Sequence, residues 1–165
     1  MKLDFSQKYA VRPLTAGDVD KILALCAENE QFYRYHTPLA TRESVLEDLS
    51  ALPPGKNAAD KHYLGFFDGK TLVAVLDLIL DYPQEGTAYL GFFMTKKATQ
   101  GRGIGSALIG ELLDELRKAS CKKVRLAVDR GNPQSKAFWE KNGFALTGEE
   151  MPHDASAYLL MKREL

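Results

Sequence analysis

The sequence predicts an α/β fold, and three observations carry that reading. Some segments repeat apolar residues at helical spacing, whereas others run in short, nearly continuous apolar blocks. The two kinds alternate along the chain, with turn residues between them. The length, 165 residues, is that of one domain with a substantial core, so a single domain over residues 1–165 is expected.

The elements follow in the order strand, two helices, three strands, helix, strand, helix, two strands. After a first strand beginning near Tyr9, residues 14–29 place Val19, Ile22, Leu23, Leu25 and Cys26 on a helical face, with Thr15 or Asp18 able to cap its start. Residues 41–52 give the second helix: Val45, Leu46 and Leu49 recur at helical spacing, and Thr41 with Ser44 makes half a capping box. Residues 52–62 read as a loop. Two apolar runs then flank Asp68-Gly69, a dipeptide suited to a tight hairpin, and residues 87–95 form a third strand apolar enough for the middle of a sheet. The next helix carries a stripe of Ile104, Leu108, Leu112 and Leu116. Residues 122–128 are a strand, and a short helix follows from Pro133, a residue suited to a first helical position, to a stop at Gly143. Two final strand-like runs, separated by Pro152, His153 and Asp154, predict a closing hairpin.

Composition narrows the function classes. With 22 basic against 22 acidic residues and no long basic block, nucleic acid is not an expected partner. No run of eighteen apolar residues occurs and the first residues lack a signal-peptide pattern, so no membrane association and a cytoplasmic location are expected. Cys26 and Cys121 lie far apart, without metal-ligand or disulfide spacing, and read as reduced thiols; no metal is expected.

The segment KKATQGRGIGSALIGELL, residues 96–113, puts Gly101, Gly103 and Gly105 directly before a helix. A helix N-terminus presents unpaired N–H groups and the positive end of the helix dipole, and glycines let a phosphate approach closely. The same glycines would also serve a sharp strand-to-helix turn. Arg102, Lys96 and Lys97 add cationic side chains nearby. A P-loop is excluded because Gly105 is followed directly by Ser106 with no lysine between. A dinucleotide fingerprint fits less well: five residues separate Thr95 from Gly101, Ser106 stands where its third glycine belongs, and only 36 residues follow Asp129.

The segment from Gln100 to Gly105 matches, at each fixed position, the Q/R-x-x-G-x-G/A loop of the GNAT superfamily of acyl-CoA-dependent N-acyltransferases. Further on, NPQSKAFWEKNGF resembles that family's second cofactor segment, with Asn132, Ser135 and Gly143-Phe144 in register. The resemblance is strong from Tyr89 to Phe144 and weak before it. It implies a mixed central sheet of about six to seven strands with helices on both faces. It also implies acetyl-CoA as the donor, held by Gln100, Gly101, Arg102, Gly103, Ile104, Gly105 and Ser106, by Asn132, Ser135 and Trp139, and by the backbone of Phe93, Met94 and Thr95.

The implied reaction is acetyl transfer to a primary amine, small molecule or peptide, by direct attack. Trp139 departs from the pattern, since many members place there a tyrosine that protonates the leaving thiolate, which an indole N–H does not do. Candidates for a base are Asp77, Asp81, Glu85 and His153. The aromatic segment containing Phe32, Tyr33, Tyr35 and His36 lies where the family shapes its acceptor pocket. Many members pair as homodimers, though no stretch here identifies an interface. Two alternatives compete: a non-catalytic acyl-CoA sensor, suggested by Trp139, and, more distantly, an NAD-dependent oxidoreductase.

Overall fold

Why these segments settle as they do is visible in the computed structural model, which describes residues 2, 4–154 and 156–165. Seven strands form one sheet: β1 (Ala10–Pro13), β2 (Lys61–Asp68), β3 (Thr71–Leu80), β4 (Thr87–Thr95), β5 (Lys123–Asp129), β6 (Ala145–His153) and β7 (Ser156–Glu164), in spatial order β1-β2-β3-β4-β5-β7-β6. Every neighbouring pair is antiparallel except β4 with β5, so the sheet is mixed, as expected.

Helices cover both faces. One face packs α4 (Ile104–Lys118) and α5 (Pro133–Lys141) on the sheet, burying Leu108, Leu112, Leu116 and Trp139 against Leu76, Leu78 and Leu126. The other packs α1 (Val19–Ala27), the single turn α2 (Glu30–Tyr33) and α3 (Arg42–Ser50), through Ile22, Leu25, Tyr33 and Val45, against Tyr63, Val75 and Met94. Removing this much apolar surface from water is the main term holding the layers together.

Local chemistry sets the boundaries. Thr41 Oγ1 accepts from the Ser44 N–H at 3.1 Å and Ser44 Oγ accepts from the Thr41 N–H at 3.0 Å, a complete reciprocal box in which serine does the work usually left to a glutamate. Asn132 caps α5 by accepting from the Ser135 N–H, with Pro133 in the first turn, where no N–H is needed.

Three expectations shift. Asp68 pairs with Thr71, so the hairpin turns on Gly69 and Lys70, with only Gly69 at positive φ (58°). Pro152 and His153 belong to β6, paired with Ala157 and Ser156, and the turn begins at Asp154; β6 is an edge strand, where a proline's missing N–H leaves no ladder bond unmade. The turn α2 was not anticipated, because four residues carry no readable period.

Arg12 ties β1 to the start of α1. Its Nη1 and Nη2 donate to the buried Asp18 carboxylate at 2.9 and 2.7 Å, Thr15 N–H donates to the same group at 3.0 Å, and the guanidinium lies over the Phe67 ring. The arginine bonds hold the Asp18 carboxyl well below the usual carboxylate range. A carboxyl depressed in the folded state adds stability above its unfolded pKa of about 3.9 and loses it as the pH falls through the folded value. Asp18→Asn is therefore expected to cost about 1–3 kcal/mol at pH 7, with the gap to wild type narrowing below about pH 4, as read by urea denaturation at several pH values.

Candidate functional site

The site begins where the parallel pairing ends. β4 and β5 pair from Thr87↔Lys123 to Leu90↔Leu126 and then part; β4 continues with β3, and β5 continues with β7 to Asp129↔Tyr158. A bulge drives the divergence: Leu90 faces Leu78 and Phe92 faces Asp77, leaving Gly91 as the extra residue. A side chain there would have to displace the Asp77 carboxylate, since a Cβ would stand 2.8 Å from Asp77 Oδ2.

The parted strands open onto two cavities, one of about 480 Å³ and one of about 460 Å³, both of a size that takes small ligands. Phe32, Phe93, Ser135 and Trp139 line both, so the cavities meet at the slot between the strands.

The first cavity is bounded by the β4 end (Phe93, Met94, Thr95), the glycine loop (Gln100, Gly101, Gly103, Gly105, Ser106) and the start of α5 (Asn132, Ser135, Trp139). Gly101 and Gly103 have φ of 70° and 77°, where a side chain is strained, and open space lies where their Cβ atoms would be. No described side chain caps α4, so its first N–H groups face this opening. Gly105 is small for a packing reason, with a Cβ there lying 3.2 Å from the Phe138 ring. The loop is fastened from behind: Gln100 Nε2 donates to Asn29 Oδ1 at 2.6 Å and to the Thr95 carbonyl at 3.1 Å, and Asn29 Nδ2 donates to that carbonyl at 3.2 Å. Asn142 Nδ2 donates to Ser106 Oγ at 3.2 Å, joining α5 to α4. Arg102 is exposed and Ile104 turns into the core; neither lines the cavity, whereas Lys97 and Lys141 do. Glu28 also lines the cavity, but its carboxylate is taken up by Lys96 Nζ and the Lys97 N–H, so the uncapped helix start, open glycines and two ammonium groups suit a pyrophosphate and exclude little else of that charge.

The second cavity has the opposite character. Asp48, Asp77 and Asp129 line it, no described lysine or arginine does, and its walls include Tyr33, Tyr63, Tyr89 and Tyr158. Asp77 accepts from Lys61 Nζ at 2.9 and 3.0 Å, with both side chains largely buried. Burial pushes the Asp77 carboxyl up, opposed by the lysine. His36 reaches across to Asp129, its Nδ1 3.1 Å from Oδ2.

Of the anticipated acceptor residues, Phe32, Tyr33 and His36 line this cavity, while Tyr35 is exposed outside it. Glu85 and Asp81 sit in the turn between β3 and β4, where Asp81 accepts from the Gly86 N–H; His153 stacks on Tyr158 at 4.6 Å; none of the three lines either cavity. Trp139 is 7% exposed and packs edge-on against Phe93, Phe138 and Phe144. Sequence reasoning missed Asp48, Tyr63 and Asp129, which come from distant elements; Asn29 and Lys141 carried no local pattern either.

Removing Lys61 strands the Asp77 carboxylate in the protein. Lys61→Met is expected to cost about 3–5 kcal/mol at pH 7. The cost lessens in acid, because a carboxyl raised in the folded state is relieved as it protonates; denaturation midpoints at pH 7 and pH 4.5 check this.

A model of the acetyltransferase (GNAT) family matches residues 23–144. No curated protein matches the sequence significantly. Among solved structures, an acetyltransferase from Thermus thermophilus superposes with a TM-score of 0.77 at 22% identity, covering 100% of both chains. PaiA N-acetyltransferase from Thermoplasma acidophilum, in complex with coenzyme A, gives 0.70 at 20% identity over 95% of this chain and 99% of that one. A chimeric spermidine N-acetyltransferase SpeG from Vibrio cholerae and hSSAT gives 0.72 at 20% identity over 96% of each chain. At such identities these structures establish likeness of fold, and the family match carries the assignment: this chain belongs to the GNAT family of acetyltransferases, enzymes whose donor is acetyl-CoA.

Proposed function

We propose that this protein transfers the acetyl group of acetyl-CoA to a primary amine by direct attack, in the slot between β4 and β5. One observation carries the reading: two cavities of opposite electrostatic character share that slot and the four residues lining it. Bound acetyl-CoA supplies an activated thioester.

In this reading the cofactor lies in the first cavity. The N–H groups from Gly101 to Ser106 would hold its pyrophosphate, with Gln100 fixing the loop from behind and Lys97 and Lys141 supplying positive charge in the lining. The β4 edge at Phe93, Met94 and Thr95, with Asn132, Ser135 and Trp139 of the same cavity, would hold its pantetheine arm. The Thr95 carbonyl is already taken by Asn29 and Gln100, so the free backbone groups are those before it. A backbone N–H held rigidly at this edge stabilises the negative charge that develops on a thioester oxygen. Trp139 forms the wall between the two cavities and donates no acid proton.

The acceptor enters the second cavity. With Asp77 compensated by Lys61, the carboxylates of Asp48 and Asp129, aromatic walls and no described lysine or arginine in the lining favour an amine that bears further positive charge and no carboxylate. The spermidine N-acetyltransferase of similar fold is named for such an amine.

Calorimetric titration with acetyl-CoA, with NAD as the control, tests the first half. Thiol release with n-alkylamines, α,ω-diaminoalkanes and ω-amino acids tests the second. Acetyl-CoA alone should bind, and the ω-amino acids should be the poorest acceptors. Gly103→Val should weaken acetyl-CoA binding at least about tenfold, roughly 1.4 kcal/mol, in a protein that still unfolds cooperatively. Undiminished binding in that variant overturns the loop assignment.

A further inference from the structure

We propose that His36, oriented by Asp129, is the general base of this site, taking the proton that an alkylammonium acceptor must lose before it can attack. The inference rests on the acetyl-transfer reading above and assigns a role that neither the sequence pattern nor the family match gives to either residue.

The geometry comes from three elements. Asp129 ends β5, three residues beyond its last pairing with β4, so it stands at the open end of the slot; it is 8% exposed. His36 follows α2, and its ring lies against Phe32 at 5.0 Å and Tyr158 at 6.2 Å, with Tyr33 at 6.3 Å. Phe32 lines both cavities, which places the imidazole beside the slot. An ionised carboxylate only accepts, so Nδ1 must carry the hydrogen that it donates to Asp129 across 3.1 Å. The lone pair then resides on Nε2, to which no described residue bonds. A carboxylate behind an imidazole fixes its tautomer and stabilises the imidazolium that forms.

Other titratable groups facing this cavity serve less well. Asp77 is held by Lys61. Burial raises the phenols of Tyr33, Tyr63, Tyr89 and Tyr158, leaving them protonated. The Cys26 thiol is raised likewise. Asp48, on α3, lines the same cavity with its carboxyl raised by burial, and no described side chain hydrogen-bonds to it to orient it.

The acceptor R–NH3+ gives one proton to Nε2; its nitrogen forms the C–N bond to the thioester carbonyl as the C–S bond breaks, the electron pair leaving on sulfur. The nitrogen's second proton goes to that sulfur, giving amide and thiol, and the imidazolium returns its proton to solvent.

The test has two arms. Nitrogen-15 NMR of the free protein's three histidines, assigned with His36→Gln, should show His36 as the Nδ1–H tautomer, and Asp129→Asn should remove that tautomer preference. An Nε2–H tautomer overturns the proposal. In turnover, His36→Gln should lower kcat about a hundredfold or more with the best alkylamine, abolish the acidic limb of the kcat–pH profile and leave acetyl-CoA binding unchanged. Its effect should fall below tenfold with 2,2,2-trifluoroethylamine, which is largely neutral at pH 7. Asp129→Asn should move the acidic limb to lower pH. A wild-type rate and limb in His36→Gln overturn the dyad alone. A wild-type protein that binds acetyl-CoA and acetylates no amine overturns the transfer reading, and the dyad with it.

Discussion

The rest of the site depends on one geometric constraint, the departure of β4 from its parallel neighbour after four paired residues. A parallel pair that stayed in register would fill this space with its own hydrogen bonds. The bulge at Gly91 adds a residue to β4 alone, which raises the local twist and turns the strand's end away from β5. β5 keeps its order by pairing with β7 on its other side, so the sheet splits without unravelling. Backbone groups that a ladder would have consumed become available to a ligand, at a place rigidly framed by α4 on one side and α5 on the other. Asp77 is part of the same device: its carboxylate lies close to where a Cβ on residue 91 would stand, and Lys61 compensates its burial.

Charge is sorted across this split. The chain carries as many acidic as basic residues, and that balance conceals a local separation. On the α4 side, the uncapped helix start, Lys97 and Lys141 outweigh the one carboxylate in the lining, Glu28, which is itself paired with Lys96; on the α1–α3 side, three aspartates line the pocket, of which Asp77 is paired with Lys61. An anionic ligand and a cationic one are thus each steered to a different mouth, and neither is attracted to the other's. Phe32, Phe93, Ser135 and Trp139 line both pockets and form the boundary between them.

How much of this was legible follows from the range of each signal. Periodicity and turn chemistry are local, and they recovered the seven strands and four of the five helices; the turn α2 was too short to show a period. The glycine loop was legible because its spacing is itself local, with three glycines before one helix. Asn29 and Gln100 were not legible as partners, being 71 residues apart and brought together only by the fold, in a direct amide contact and at the shared Thr95 carbonyl. The acceptor pocket was harder still. Its carboxylates come from α3, β3 and β5, and His36 meets Asp129 across 93 residues of sequence. Asp81 and Glu85 looked as plausible as Asp77 in the sequence, because only the register of β3 with β4 turns one aspartate toward the slot.

The presence of Trp139 instead of a tyrosine is consistent with this division of labour. A thiol has a pKa near about 8.5, so sulfur leaves tolerably as a thiolate near neutral pH, and an acid beside it gives a limited advantage. An alkylamine, near about 10.4, arrives almost wholly protonated and cannot attack until it loses a proton. The two ends of the reaction therefore place unequal demands on the protein, and the demand at the amine is the larger. Position 139 is free to serve packing, and its indole does so, buried edge-on among Phe93, Phe138 and Phe144, where it stiffens the wall of the slot. In the proposed mechanism the titratable machinery lies across the slot on the acceptor's side, where His36 and Asp129 face the ammonium.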